Sequence, residues 1–258
     1  MWLPVRQIPV LILPLYTSNI HGALIVRLLS SNEMDPFMKI LKIFFFLMTF
    51  SIITPAQASV TIGGTRLIYD ASKREATISV TNDKQAVPHL IQSWVEVDGN
   101  ANNKAPFIVT PPLFRLDSGR ENTIRVIFTG ESALPNNRES VYWLNVKSIP
   151  AVEKSDNNRL LIAVKSRIKL FYRPETLNTD AAADAWQKLS FTYRDGQLTI
   201  NNPTPYYISL YSLKVDSEVI KNPPMVAPFS EVSVSSPSGT VTWQAINDFG
   251  GITKEMRQ

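Results

Sequence analysis

The 258 residues, 44% hydrophobic and 19% charged, are too apolar for a disordered chain and long enough for one large or two ordinary globular domains. There is no cysteine, so core burial alone must hold the fold, and the two histidines, His21 and His89, cannot assemble a zinc site of His and Cys ligands. A formal charge of +4 gives no ground for a nucleic-acid partner, which needs a clustered basic face.

In chain order, the first readable feature is an export signal over 38–58. Met38, Lys39 and Lys42 supply a basic head, residues 43–53 an apolar run, and Ala56-Gln57-Ala58 a small-residue cleavage site. A bilayer span needs about 20 apolar residues, so the run reads as a cleaved signal in preference to a membrane anchor. The mature chain is then expected to begin at Ser59. Residues 1–37 form a doubtful N-terminal extension, interrupted by Pro4, Pro9, Pro14 and Arg27. Either Met38 is the true start or the extension is genuine. Removing residues 1–58 takes away four basic and two acidic residues and lowers the formal charge from +4 to +2.

From residue 59 onward, short runs rich in β-branched and aromatic residues alternate with turn clusters, which predicts an all-β fold. Strands are expected over 60–69, 75–81, 90–97, 107–115, 122–128, 140–148 and 159–172, enough for one immunoglobulin-like domain over 59–174. Asn82-Asp83-Lys84, Asp98-Gly99-Asn100 and Asp117-Ser118-Gly119 mark the turns. Within the first domain, Val87-Pro88-His89-Leu90-Ile91 reads as a strand entrance, giving His89 a structural or merely exposed role.

A proline-containing stretch and the Ala-rich residues that follow predict a linker over 175–185. A second β-sandwich is expected over 186–258, with strands at 189–193, 198–201, 207–215, 231–234 and 240–246 and a hairpin at Asp195-Gly196. The polar tail 253–258 ends soon after Gly250-Gly251, which predicts a shortened final strand.

The expected strand over 159–172 is unusually long. A period of two puts Leu160, Ile162, Val164, Ser166, Ile168 and Leu170 on one face and Lys165, Arg167 and Lys169 on the other. Periodicity alone reads this as an ordinary half-buried strand. At a sheet edge, the same apolar row would invite pairing with another chain.

The segment Arg167-Ile168-Lys169-Leu170-Phe171-Tyr172-Arg173-Pro174 closely resembles the signature of periplasmic pilus (fimbrial) assembly chaperones of the chaperone-usher pathway. Four further stretches agree in order: Gly64-Thr65-Arg66-Leu67-Ile68-Tyr69, Thr110-Pro111-Pro112-Leu113-Phe114-Arg115-Leu116, Arg138-Glu139-Ser140-Val141-Tyr142-Trp143-Leu144-Asn145 and Ile246-Asn247-Asp248-Phe249-Gly250-Gly251.

The resemblance implies two immunoglobulin-like β-sandwich domains around a cleft and a periplasmic chaperone that binds pilus subunits by donor-strand complementation. It further implies that the chaperone prevents premature assembly and delivers subunits to an outer-membrane usher. By the same resemblance, Leu160, Ile162 and Val164 would enter the groove of a subunit. Arg66 and Lys169 would bind the subunit's C-terminal carboxylate, where composition alone reads both as exposed solubilising charges. Glu139, Arg173 and Asp248 would form an interdomain charge network rather than three unconnected surface charges. The short loop 150–158 is similar to that of the short-loop branch.

No catalytic residue, metal site, cofactor, nucleic acid or small-molecule substrate is expected. The chain has no Gly-rich phosphate loop, no nucleophile elbow and no paired carboxylates in a motif. A secreted immunoglobulin-like adhesin or a pilus structural protein would share the strands and the export signal. The segment around Lys169 and the two-domain length speak against both.

Overall fold

The computed structural model describes residues 60–258 apart from 98–99, 131–132 and 153–159, with residues 100–104 described by backbone alone. The expected extension 1–37, the signal 38–58, Ser59 and most of the loop 150–158 lie outside the described residues.

The first sandwich comprises β1 (Val60–Ile62), β2 (Arg66–Asp70), β3 (Ala76–Asn82), β4 (His89–Val97), β5 (Asn100–Lys104), β6 (Phe107–Thr110), β7 (Leu113–Leu116), β8 (Glu121–Phe128), β9 (Ser140–Pro150) and β10 (Val164–Arg173). One sheet runs β1-β3-β8-β6, and the other runs β2-β10-β9-β4-β5 with β7 also paired to β4. Alternation drives the packing: Ile78 and Val80, Ile124 and Val126, Leu144 and Val146, and Ile168 and Leu170 all turn into one core. Each such side chain contributes about 1.5–3 kcal/mol when fully buried. His89 opens β4, buried, with its Nδ1 2.8 Å from the Val87 carbonyl oxygen.

Most expected strands shift by one or two residues at their ends, and three depart further, each for a local reason. The run 60–69 divides into β1, antiparallel to β3, and β2, parallel to β10. Gly63 makes the crossing possible, since a Cβ there would stand 2.3 Å from Ser79 Oγ while its N–H donates to the Ser79 carbonyl. The run 107–115 breaks at Pro111-Pro112, which lack N–H donors. As a result β6 pairs with β8 and β7 with β4. The run 159–172 begins only at Val164. Its register on β9, Val164 opposite Ser148, would set Ile162 against Pro150, and the ladder ends there for want of a donor. Leu160 and Ile162 therefore precede the strand.

The second sandwich is entered through α1 (Thr179–Asp184) and a 3-10 turn (Ala185–Lys188). Asn178 caps α1, its side-chain oxygen accepting from the Asp180 and Ala181 N–H groups. Next come β11 (Ser190–Arg194), β12 (Gln197–Asn202), β13 (Ile208–Val215), β14 (Glu218–Val219), β15 (Met225–Val226), β16 (Ser230–Ser235), β17 (Val241–Ala245) and β18 (Met256–Arg257). The sheets are β11-β12-β16 and β14-β13-β17-β18, with β15 on β13. The final strand is short, as the tail predicts, but the tail is paired. Thr253 N donates to Ala245 O, Met256 pairs with Trp243 and packs on the core, and Gln258 exchanges backbone bonds with Val241.

Candidate functional site

β10 ends at Arg173, and its guanidinium joins the two sandwiches. Arg173 Nε donates to Glu139 Oε1 at 2.8 Å, while Nη1 and Nη2 donate to Asp248 at 2.8 and 3.1 Å. The other Glu139 oxygen accepts the Tyr207 N–H at 2.8 Å. The side chains of Arg173 and Glu139 are 3% and 2% exposed and that of Asp248 31%, so this is a largely desolvated triad with one wet end.

Burial pushes the Glu139 carboxyl up against the pull of Arg173. Burial also opposes the Arg173 charge, but the bonds to Asp248 and the charges of Glu139 and Asp248 outweigh it and leave Arg173 above its ordinary value. Both Glu139 oxygens accept from N–H donors, which is the pattern of an ionised carboxylate. Of the three residues expected as an interdomain network, Arg173 thus bonds directly to both Glu139 and Asp248.

Arg66 and Lys169 are directly paired in the parallel ladder of β2 and β10, so both side chains stand on the same face. Arg66 Nη1 donates to the Ile246 carbonyl at 3.0 Å and Lys169 Nζ to Ser209 Oγ at 3.3 Å, both acceptors lying in the second sandwich. Arg66 Nε is buried and has no hydrogen-bond partner. Burial first, and the Arg66 charge second, lower the Lys169 pKa; burial lowers that of Arg66, against the partial compensation of Asp248 and Glu139. Among the described residues neither cation has a carboxylate within ion-pair distance. Two half-buried like charges with an unused donor make a site that gains from an anion. A cavity of about 320 Å³ opens beside it, lined by Arg66, Phe171, Arg173, Trp186, Ile246 and Asp248 among others.

β2 covers only residues 169–173 of β10, so the other half, 164–168, is an open strand edge. Leu160, Ile162 and Val164 lead into that edge with 87%, 65% and 54% of their surface exposed. Contiguous exposed apolar side chains beside unpaired backbone are a template for another strand. Tyr207, Ser209 and the Ile246 carbonyl complete the junction and were not anticipated. Backbone groups and a serine carry no sequence signal that distinguishes them.

Two immunoglobulin-like sandwiches, a cationic junction and a half-open strand edge define a module suited to holding another polypeptide. Residues 59–178 match the family described as "Pili and flagellar-assembly chaperone, PapD N-terminal domain", and residues 184–257 that described as "Pili assembly chaperone PapD, C-terminal domain". The chain belongs to the pilus-assembly chaperone family.

It is 40% identical over 218 residues to the chaperone protein FocC of Escherichia coli, covering 81% of this chain and 94% of that protein. It is 42% identical over 209 residues to the chaperone protein FimC of Escherichia coli K12, covering 78% and 84%. Among solved structures, a chain in the complex of the Salmonella enterica SafA pilin with the SafB chaperone superposes with a TM-score of 0.69 at 32% identity. That match covers 80% of this chain and 98% of the other.

Proposed function

We propose that the chain is a periplasmic chaperone that holds a pilus subunit at the open edge of β10 while the subunit's C-terminal carboxylate sits between Arg66 and Lys169. The observation that carries this reading is the pairing of those two half-buried cations, with a free Arg66 Nε and no carboxylate of the described residues within ion-pair distance of either. A terminal carboxylate is acceptor-only and fits two such donors. With the carboxylate anchored at Lys169, a strand added along 164–168 runs parallel to β10. Leu160, Ile162 and Val164 then supply the alternating apolar side chains a subunit groove lacks.

Backbone pairing contributes affinity and the alternation sets the register. No chemical step is needed. Holding the subunit prevents premature assembly, and release to an outer-membrane usher completes the role. The Arg173 triad keeps the two sides of the site together.

The test is periplasmic co-purification of wild type and Lys169→Ala with each subunit encoded beside the gene. Wild type should retain a subunit. The variant should lose it, since a charge-assisted bond contributes about 1.5–3 kcal/mol, roughly 10- to 150-fold in affinity. Equal retention by both removes Lys169 as the anchor.

A further inference from the structure

The sheet face that carries Arg66 and Lys169 continues away from the second sandwich as a basic surface. Because Leu144, Val146, Ile168 and Leu170 fill the core, Trp143, Asn145, Lys147, Lys165 and Arg167 belong to the opposite face. Register sets Lys165 directly across from Lys147 and Lys169 directly across from Arg66. Like charges opposite one another destabilise a ladder, yet two such pairs occur here with Arg167 between them.

The long side chains are held down on indoles rather than splayed. Arg167 Cζ lies 3.9 Å from the Trp143 ring centroid and Lys165 Nζ 5.0 Å from that of Trp94. In these rows the one carboxylate among the described residues is Glu96, only 4% exposed. It is already engaged beneath the surface by Trp94 Nε1 at 2.7 Å and Lys165 Nζ at 3.3 Å. Among the described residues Lys147 and Arg167 have no ion-pair partner. Among the described residues Glu96 and the two indoles offset the repulsion between these cations only in part.

We propose that this face, through Lys147, Lys165 and Arg167, reads an acidic surface on the same subunit whose terminal carboxylate enters between Arg66 and Lys169, and so selects which subunit is captured. The inference rests on the subunit-binding reading above. Continuity favours that occupant over any other polyanion: the cations flank the open edge of β10 and lie within a few residues of the carboxylate site on the same face. Side-chain contact there adds discrimination that a terminal carboxylate, common to all chains, cannot supply.

The test dilutes a urea-unfolded subunit, one that co-purifies with wild type, over immobilised full-length chain and follows association at about 50 and about 500 mM NaCl. Lys147→Glu/Arg167→Glu should slow association about tenfold or more at low salt and remove most of its salt dependence, while Lys147→Arg/Arg167→Lys preserves both. Lys147→Glu alone, at a site off the core, serves if the double variant melts early. Association indifferent to salt and to charge reversal, with Lys169→Ala still defective, overturns this inference and leaves the subunit reading standing. Failure of wild type to capture any subunit overturns both. Binding of phosphatidylglycerol vesicles or single-stranded RNA through these cations, with subunit association unchanged, also overturns it.

Discussion

Arg173 grips Asp248 with both terminal nitrogens, at 2.8 and 3.1 Å, and this fork is the charged bond between the last strand of one sandwich and the turn after β17 of the other. Its third nitrogen is committed to Glu139, so Arg173 cannot lose one partner without stranding charge in a desolvated place. Arg173→Ala or Glu139→Ala should therefore cost about 3–5 kcal/mol, whereas replacing both by apolar residues of similar volume should recover much of the loss. Asp248→Ala should cost less, because that carboxylate is partly in water. Urea denaturation of the single and double variants measures each.

Gly250 is a further place where the sandwiches approach closely. It has φ +83°, and a Cβ there would stand 2.6 Å from Thr65 Oγ1. Gly250→Ala combines that clash with a left-handed conformation costing about 1–2 kcal/mol for an L-residue. Thermal melting should show a loss that Thr65→Ala restores only in part, since removing the hydroxyl leaves the backbone strain.

The final residues make another prediction. Deleting 253–258 removes the strand that pairs along Val241–Ala245, uncovers the core beside Met256 and frees the Phe191 N–H and C=O that Gln258 binds. With net contributions of about 0.5–1.5 kcal/mol per hydrogen bond, the loss should be on the order of 3 kcal/mol or more. Chemical denaturation of the truncated chain checks this.

Binding should also depend on pH with a definite sign. Burial and Arg66 hold the free Lys169 ammonium below the ordinary lysine value, and a bound carboxylate raises it again. The contribution of Lys169 to affinity is full below its free-state pKa and is lost as pH rises through the window up to its bound-state pKa. Affinity for a subunit, followed from about pH 7 to about 10, should fall in wild type and stay level in Lys169→Arg, whose charge persists.

The sequence made the strand alternation legible because buried and exposed positions differ in polarity: Ile78 and Val80, or Leu198 and Ile200, read directly as core. Strand limits were less legible because they depend on partners. Nothing near Leu160 says that the ladder fails at Val164; that follows from Pro150 on the neighbouring strand. The tail reads only as a shortened final strand because its contribution is backbone pairing, which polar side chains do not reveal. Arg66 and Lys169 are 103 residues apart and carry no local mark of a shared site. Family resemblance suggested them, and the parallel register of β2 and β10 puts them side by side.

The most direct test of the central claim is amide hydrogen exchange across β10 and the residues before it, in the free chain and in its complex with a co-purified subunit. A strand added to the open edge should protect residues 160–168 strongly while changing little over 169–172, which β2 and β9 already pair on both sides. Unchanged exchange over 160–168 in a complex that remains intact would contradict the claim and place the subunit elsewhere on the chain.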